Sequence, residues 1–313
     1  MIPPLRDRSP LVFTYDDESE LMALDGVTDV DGLVVTELKL RGFVLVRHES
    51  SRLLKTLLGA TSNYFDRDEE EKMKIAGGAT MRKAQGRPVG YSRRGCGEFV
   101  DLHAIRDQSS VSFIPEGFNH GGFKAPLVAH IMHAANIAKA LCACIARSLG
   151  GEGLIMRLMP HLSLFWCEAI AVVAARSESC ASPGLEILSP QNHQWEPVDR
   201  FIADGKTVVV FPGDFMSIVT NDAIPAAAHR SIRGPTSSRR ISIPVLFRTL
   251  PGSFWPPGVG GQFLNCDEPI SMDDIDTYCE YKRKSNAARH KSGGDKDWIL
   301  KTRTTSVRKK PST

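Results

Sequence analysis

The segment from residue 228 to residue 247 reads AHRSIRGPTSSRRISIPVLF. Apolar residues occupy every second position from Ile241 to Phe247, which is typical of a strand that buries one of its faces. His229 stands near the start of the segment, and Arg240 follows eleven residues later. We therefore expect a strand in this segment, with a guanidinium where the strand begins and an imidazole in the residues before it.

Short apolar runs continue upstream of this strand, separated by Pro, Gly, Asn and Asp residues. Antiparallel sheets with tight turns produce such a pattern, and a helix-rich region precedes it. The sequence therefore predicts an antiparallel sandwich or jelly roll with N-terminal helices packed against it. The predicted strands are Leu154–Leu158, Ile170–Ala174, Leu185–Leu188, Thr207–Phe211, Met216–Val219 and Ile241–Phe247.

The N-terminal half is predicted to contain several helices and two strands. Apolar residues at helical spacing predict a long helix over Ala125–Leu149. His130 and His133 are expected on the surface of this helix, and Cys142 and Cys144 in the core. The other predicted elements are a strand at Gly42–Val46, a helix capped by Ser50 and Ser51, a helix starting within Asp66–Lys72, an exposed loop over residues 76–97 and a strand at Glu98–Ile105.

The composition predicts a folded cytoplasmic protein. Hydrophobic residues make up 42% of the 313 residues, which is enough to form a core. Unbroken apolar runs fall far short of the roughly 20 residues that a membrane-spanning helix needs, and the first residues lack a secretory signal. Seven cysteines without a CxxC pair indicate reduced thiols. We expect a monomer with no membrane partner.

Positive charge is concentrated at the C-terminal end of the chain. Residues 281–313 contain eleven lysines and arginines against two aspartates, a net charge of +9, whereas the whole chain carries only +3. The remainder of the chain is therefore mildly acidic. Because the terminal segment is poor in apolar residues, we expect a disordered, solvated tail rather than a nucleic-acid-binding element.

A series of segments, in the same order along the chain, closely resembles the C-terminal barrel of the isopenicillin N synthase-like family of non-haem iron, 2-oxoglutarate-dependent oxygenases. Parts of the N-terminal half are similar to the same family, so the resemblance covers roughly residues 30–250. The C-terminal segments are Pro183–Pro190, Trp195–Val198, Val208–Phe215, Thr220–Asp222, Ala228–Ser231 and Ser238–Phe247, and the N-terminal ones are Gly42–His48, Phe65–Lys72 and Gly97–Ile105.

This resemblance implies a fold, two cofactors and a small-molecule substrate. The family's double-stranded β-helix, an open-ended barrel of about eight strands packed against a long helix, binds Fe(II) through two histidines and one carboxylate. His229 matches the second histidine. Arg240 and Ser242 match the Arg-x-Ser whose arginine binds the distal carboxylate of 2-oxoglutarate. A guanidinium suits a carboxylate because it donates two parallel hydrogen bonds.

The family's first two ligands, a His-x-Asp on one strand, fall on Trp166 and Glu168. Glu168 retains a carboxylate, but the indole nitrogen of Trp166 carries a proton and offers no lone pair to a metal. His161, five residues upstream, is an alternative ligand if the loop is remodelled. Met156–Pro160 resembles the preceding strand of the family but lacks its tyrosine.

Glu98, Asp101 and His103 lie on the strand that borders the substrate entrance in the family. Alternate residues of a strand share a face, so Asp101 and His103 are candidates to contact a substrate. The other interpretation is that all three are ordinary polar residues of an exposed strand.

The expected domain organisation is one domain with extensions at both ends. Residues 30–150 form the helices and strands that cover the barrel, and residues 151–252 form the double-stranded β-helix. Residues 1–29 are an N-terminal extension, residues 253–280 a C-terminal segment and residues 281–313 the basic tail.

Three interpretations of function remain open. The first is an oxygenase that hydroxylates or desaturates a small organic substrate while 2-oxoglutarate is decarboxylated. The second is a catalytically inactive relative with a binding or regulatory role, because Trp166 replaces a metal ligand. The third is that residues 160–182 are not the true protein sequence, for instance through a misplaced splice boundary.

Overall fold

The structure is a computed structural model. For several strands, residues 166–174 among them, it describes the backbone only. The tail at 281–313, the predicted strand Leu154–Leu158, the segment Met156–Pro160 and His161 lie outside the described residues. The structure describes residues 9–15, 28–48, 52–76, 82–84, 87–94, 97–106, 111–112, 117–120, 122–149, 166–174, 184–202, 205–213, 216–217, 220, 223–232, 240–248, 254–255 and 270–271.

Helices and strands alternate in the first half of the chain, and short strands dominate the second half. The helices are α1 (Thr28–Leu40), α2 (Leu53–Phe65), α3 (Glu69–Ile75), α4 (Gly117–His120) and α5 (Lys124–Leu149). The strands are β1 (Val12–Tyr15), β2 (Val44–His48), β3 (Arg82–Ala84), β4 (Arg87–Arg94), β5 (Gly97–Arg106), β6 (Val111–Ser112), β7 (Trp166–Ala174), β8 (Leu185–Leu188), β9 (Trp195–Pro197), β10 (Thr207–Val210), β11 (His229–Ser231), β12 (Arg240–Ser242), β13 (Val245–Arg248), β14 (Phe254–Trp255) and β15 (Ile270–Ser271).

Helix α5 is the central packing element of the fold. Its N-terminal half buries Leu127 and Ile131 in one hydrophobic cluster, and its C-terminal half buries Ile137 and Leu141 in a second cluster. The helix is long and apolar enough to cross a membrane by composition, but 67% of its most apolar window is buried inside the protein. We therefore interpret α5 as a core helix.

Two sheets pack against α5. The larger has the strand order β12-β7-β5-β4-β3, with β13 also pairing with β7 and β6 with β5. The second has the order β1-β2-β10, in which β1 runs parallel to β2 and β10 antiparallel to it. Val100 of the larger sheet lies in the cluster of Leu127, and Val44 and Val46 of the second lie in the cluster of Ile137.

A third sheet packs on the other face of β1-β2-β10. It has the order β11-β8-β9, and all of its strands are antiparallel. Phe43 and Leu45 form a third cluster with Ile187 and Val198 of this layer. Because residues 44 and 45 lie on opposite faces of β2, the β1-β2-β10 sheet is covered by α5 on one side and by the third sheet on the other.

The turn after α1 attaches the third sheet to the rest of the fold. Gly42 ends the helix in the left-handed region, at φ 83°, where glycine is favoured. A Cβ at this position would stand only 3.3 Å from the ring of Pro190. The hydroxyl of Ser189 donates a 2.6 Å hydrogen bond to the carbonyl of Leu40. This close approach brings the β8–β9 turn against the end of α1.

A buried ion-pair network strengthens the same junction. The guanidinium of Arg41 is only 3% exposed and contacts Glu37 on α1 at 3.2 Å. It also donates a 2.6 Å hydrogen bond to Glu196 on β9. A buried cation that contacts two carboxylates from different elements fixes the position of one element relative to the other.

Most of the predicted elements are confirmed within the described residues. The long helix, the strand before it and the runs at Ile170–Ala174, Leu185–Leu188 and Thr207–Phe211 all correspond to observed elements. The predicted strand Ile241–Phe247 is observed as β12 and β13. The pairing of β12 with β7 continues in the same register into the pairing of β13 with β7. The interruption falls at Pro244, which has no N–H to donate to a ladder.

Three predictions of local structure are wrong. Residues 76–97, expected as an exposed loop, contain β3 and β4, which extend the large sheet because β4 pairs with β5 and β3 with β4. The predicted strand at Met216–Val219 begins instead as a helical turn, in which the N–H of Thr220 bonds the carbonyl of Met216. Arg52 is the N-cap of α2, without a side-chain cap, in place of the predicted serines.

The placement of two helix histidines was also predicted wrongly. His130 and His133 are 5% and 6% exposed, because α5 is covered by sheets on more than one side. Burial lowers the pKa of His130 to about 4, and the nearby backbone of Ile243 opposes this shift without reversing it. The pKa of His133 falls to about 4 through burial and the neighbouring His130 and His48. Tyr15 from β1 bonds the His133 ring at 2.8 Å.

These buried histidines predict an acid-sensitive fold. In the unfolded chain their pKa returns to about 6.5, so unfolding takes up protons as the pH falls below that value. Stability should be complete above pH 6.5 and decrease toward pH 4, with at most about 1.4 kcal/mol lost per pH unit for each histidine. Urea denaturation between pH 5 and 7.5 measures this slope.

The matched variant for this measurement combines His130→Met with His133→Gln, which retains a polar partner for Tyr15. Its stability should vary less with pH than that of the wild type in the same range. The exposed His193, changed to Asn, should leave the slope unchanged. Equal slopes for the double variant and the wild type would contradict this assignment.

The Arg41 network gives a second prediction. Arg41→Met should destabilise the protein by about 3–5 kcal/mol, because it leaves Glu37 and Glu196 without their buried cation. Arg200→Ala is the control, since Arg200 is 58% exposed and lies 3.6 Å from the same Glu196; it should cost less than about 1 kcal/mol. Similar urea midpoints for the two variants would refute a structural role for Arg41.

Candidate functional site

Strand β7 carries Trp166 and Glu168 and lies inside the seven-stranded sheet. It pairs with β5 on one side and with β12 and β13 on the other, so that Ser242 stands opposite Val172 and Arg240 opposite Ala174. Directly opposite residues of antiparallel strands share a face, and successive residues alternate between faces. One face of this sheet, which we call the site face, therefore contains positions Trp166, Glu168, Arg240 and Ser242.

The opposite face of the same sheet is the one that α5 covers. Val100 of β5 is 1% exposed and belongs to the cluster of Leu127 and Ile131. Ile243 and Val245 pack against that cluster as well. Along their strands these residues alternate with the site-face positions, so they lie on the opposite face of the sheet. The candidate ligand positions therefore lie on the side of the sheet that faces away from the α5 core.

His229 lies in a different sheet, on the face that is turned toward β1-β2-β10. It stands opposite Ile187 across the β11–β8 pair, and Ile187 is fully buried between the third sheet and β1-β2-β10. The ring centroids of His229 and Phe211 are 4.8 Å apart. His229 is nevertheless exposed to solvent. It therefore lies at a solvent-exposed rim of this layer, where a ligand can reach it.

The hydrogen bond of His229 fixes its tautomer. Nδ1 is 3.0 Å from the carbonyl oxygen of Ala227. A carbonyl oxygen only accepts, so we assign the proton to Nδ1, and Nε2 of the neutral ring retains its lone pair. A backbone carbonyl that orients the second ring nitrogen is typical of metal-binding histidines.

The neighbour of His229 anchors the strand on its outer face. Arg230 donates a 2.8 Å hydrogen bond from Nε to Glu186 on β8. Its guanidinium also stacks 4.1 Å from the ring centroid of Trp195 on β9. Arg230 was not among the candidates from the sequence, because a cross-strand partner such as Glu186 cannot be recognised before the register is known. The contact restrains β11 and hence His229.

Glu98 belongs to the covered face and has a structural role. It lies two residues before Val100 on β5 and therefore on the same face of the sheet. Both Lys72 on α3 and Tyr91 on β4 donate hydrogen bonds to it. Burial alone would raise the pKa of Glu98, but these two hydrogen bonds hold it below its usual value. The carboxylate therefore joins β4 and β5 to α3. Asp101 alternates with these residues along β5 and lies on the site face, opposite Ile170.

The family's ligand positions fit an iron ion only in part. His229 offers a free imidazole lone pair, and the site face carries the carboxylate of Glu168 at a strand position. Position 166 does not fit, because an indole has no lone pair in its ring plane. Among the described side chains, no three His, Cys, Asp or Glu residues form a group able to hold a metal ion. A complete triad therefore needs another imidazole.

Comparisons with known proteins define the fold. No protein-family model matches the sequence, and no curated protein matches it. A 2OG-Fe(II) oxygenase family protein from Caulobacter crescentus is similar in structure, with a TM-score of 0.64 at 15% identity over 89% of this chain and 99% of that one. The chain thus has the mixed helix-and-sheet fold of 2-oxoglutarate/Fe(II) oxygenases.

Two other solved structures share this fold. The rice dioxygenase for auxin oxidation matches with a TM-score of 0.57 at 16% identity, covering 88% of this chain and 96% of the rice chain. A full-length protein of Neurospora crassa, in complex with alpha-KG and thymine, matches with a TM-score of 0.57 at 15% identity over 83% and 93% of the two chains. The similarity extends over nearly the whole length of these proteins.

The tautomer of His229 is directly testable. In ¹⁵N-labelled protein, the neutral form of the His229 ring should carry its proton on Nδ1 and leave Nε2 unprotonated. Addition of Zn(II), which is diamagnetic, should shift the Nε2 resonance and leave the exposed His193 unchanged. The His229→Ala spectrum assigns the signals. A ring protonated on Nε2 alone would contradict the hydrogen bond between Nδ1 and the Ala227 carbonyl.

Proposed function

We propose that the protein is an Fe(II)- and 2-oxoglutarate-dependent oxygenase that acts on a small organic molecule. The main support is the register of β7 and β12, which places Glu168, Arg240 and Ser242 on one face. His229 lies on the face of the third sheet that is turned toward β1-β2-β10, with its Nε2 lone pair free. The similarity to 2-oxoglutarate oxygenases over most of the chain supports the same class of activity.

In this proposal Arg240 and Ser242 bind 2-oxoglutarate. Residues two apart on a strand share a face, so both can contact the same carboxylate. The arginine provides two parallel hydrogen bonds and a full positive charge, and the serine hydroxyl adds a third donor. Charge and geometry together favour a dicarboxylic keto acid over a neutral ligand.

His229 and Glu168 are assigned to the metal. A neutral imidazole and a carboxylate are two of the three ligands that define the facial site of non-haem iron oxygenases. When bound, Fe(II) would supply the activation of dioxygen, with one oxygen atom oxidising 2-oxoglutarate to succinate and CO2 and the other oxidising the substrate. The protein supplies the arrangement of ligands and the anion-binding arginine.

The substrate is proposed to be a small molecule that enters at the rim near His229. The exposure of His229 leaves this rim open within the described residues. Thymine is present in the Neurospora crassa complex, and auxin is named for the rice enzyme. Both are small organic molecules, which is consistent with this size class for the present protein.

Trp166 supports a second candidate function, a binding protein that retains the anion site without iron chemistry. The two functions differ in one observable. An anaerobic sample with Fe(II) and 2-oxoglutarate should develop the weak visible charge-transfer band of the ternary complex if the protein is an oxygenase. Absence of the band from folded protein at millimolar iron would exclude the oxygenase and leave the binding role.

The role of Arg240 gives a separate prediction. Arg240→Ala should weaken 2-oxoglutarate binding by about 30-fold or more, because removal of one member of a desolvated charge pair costs about 2–5 kcal/mol. Arg240→Lys should recover part of the loss, since it keeps the charge but not the paired donors. Calorimetric titration with 2-oxoglutarate measures both, and Arg200→Ala is the control. Unchanged affinity in Arg240→Ala would refute the assignment.

A further inference from the structure

Strand β11, which carries His229, is short and exposed to solvent. It contains only three residues, and all of them are exposed. Among the described strands it pairs with β8 alone, at the edge of the third sheet. Segments with few buried contacts and solvent-exposed backbone hydrogen bonds open most readily by local unfolding. The position of the His229 ring therefore depends on what restrains this strand.

Arg230 restrains β11 from the opposite face of the third sheet. Successive residues of a strand point to opposite faces, so Arg230 points away from the side that His229 occupies. It stands directly opposite Glu186 on the central strand β8, and its Nε and Nη2 lie 2.8 and 2.7 Å from the same carboxylate oxygen. Its guanidinium also stacks on the ring of Trp195 on β9. One side chain of the edge strand thus contacts both other strands of the sheet.

The burial of Glu186 gives this contact more weight than an ordinary surface ion pair. The side chain of Glu186 is 10% exposed, whereas that of Arg230 is 46% exposed. A buried carboxylate that loses its cation is strongly destabilising, because its lost hydration is then not compensated by a partner charge. Stacking of the guanidinium on the indole adds to the attraction. Opening of β11 would break both contacts at once, so Arg230 opposes the local unfolding of this strand.

We propose that Arg230, through Glu186 and Trp195, is a positioning residue for the metal ligand His229. The inference rests on the proposed function, because it concerns how a ligand of the same metal site is held in place. Arg230 acts through the register of β11 against β8 and not on the metal ion itself. With this register intact, Nδ1 of His229 stays at the Ala227 carbonyl, and Nε2 stays available to a metal ion.

Titration of the ¹⁵N-labelled, full-length protein with Zn(II) tests this role without requiring activity. Arg230→Ala should lower the Zn(II) affinity measured at Nε2 of His229 by about 10–100-fold, the range typical of groups that orient a metal ligand. In the metal-free protein the same variant should increase the fraction of the tautomer protonated on Nε2. The reason is that the hydrogen bond from Nδ1 to the Ala227 carbonyl then forms only part of the time.

Hydrogen exchange separates local positioning from a general loss of stability. The amides of Leu188 and Ile232 bond to the carbonyls of Ala228 and Gly184 at 2.8 and 2.7 Å, so they report on the two ends of the β8–β11 ladder. In Arg230→Ala both amides should exchange faster, while the amides of β2 keep their rates. A variant that merely destabilises the whole fold would accelerate exchange in both places.

Arg200→Ala is the matched control. Arg200 is likewise an exposed arginine that stacks on an aromatic ring, at 4.5 Å from Phe201, and lies 3.6 Å from a carboxylate, that of Glu196, but it lies outside β11. This variant should keep the wild-type Zn(II) affinity and tautomer. Arg230→Lys retains the charge without the planar guanidinium and should recover part of the affinity. Arg230→Gln, which keeps a donor for the buried carboxylate, replaces the alanine variant if that variant does not fold.

The outcomes distinguish this inference from the proposed function. Wild-type Zn(II) affinity and tautomer in folded Arg230→Ala or Arg230→Gln protein would overturn the role of Arg230 and leave the oxygenase proposal intact. Weaker binding with equally faster exchange in β2 would overturn it as well. Absence of Zn(II) binding at His229 in the wild type would overturn both the inference and the metal assignment. Weaker binding with faster exchange confined to the β8–β11 ladder would support the positioning role.

Discussion

Burial of α5 against two sheets is the constraint on which the rest of the structure depends. Leu127 and Ile131 pack toward the seven-stranded sheet, and Ile137 and Leu141 toward β1-β2-β10. Because α5 buries apolar side chains toward both sheets, it determines which residues of the adjacent strands face inward. A shift of one residue in β5 or β12 would expose this apolar set and move the site positions into the core.

The same constraint leaves the site face of the large sheet uncovered by α5. Arg240 and Glu168 lie on that face, whereas His229 lies in the third sheet, at a rim open to solvent. The Arg41 network and the Gly42 turn hold the third sheet against α1, while Arg230 holds β11 within that sheet. The proposed chemistry therefore depends on contacts distant from the reacting groups.

Much of this arrangement was predictable from the sequence, because apolar periodicity reports burial. The helix over Ala125–Leu149 and the strand from Ile241 were recognisable for that reason. The strands within 76–97 were missed because arginine and glycine dominate them, and their pairing is set by tertiary contacts. The burial of His130 was missed because the presence of a histidine in a helix does not indicate how many sheets pack against that helix. His103 was a candidate to contact substrate, but its alignment with Glu168 depends on a cross-strand register that local patterns do not encode.

The most direct test of the account is a crystal structure of the protein soaked anaerobically with Co(II) and 2-oxoglutarate. An anomalous peak is expected about 2.0–2.2 Å from Nε2 of His229. The distal carboxylate of 2-oxoglutarate is expected on the guanidinium of Arg240, beside that metal ion. A structure in which His229 and Arg240 open onto separate surfaces, with no metal or keto acid between them, would contradict it.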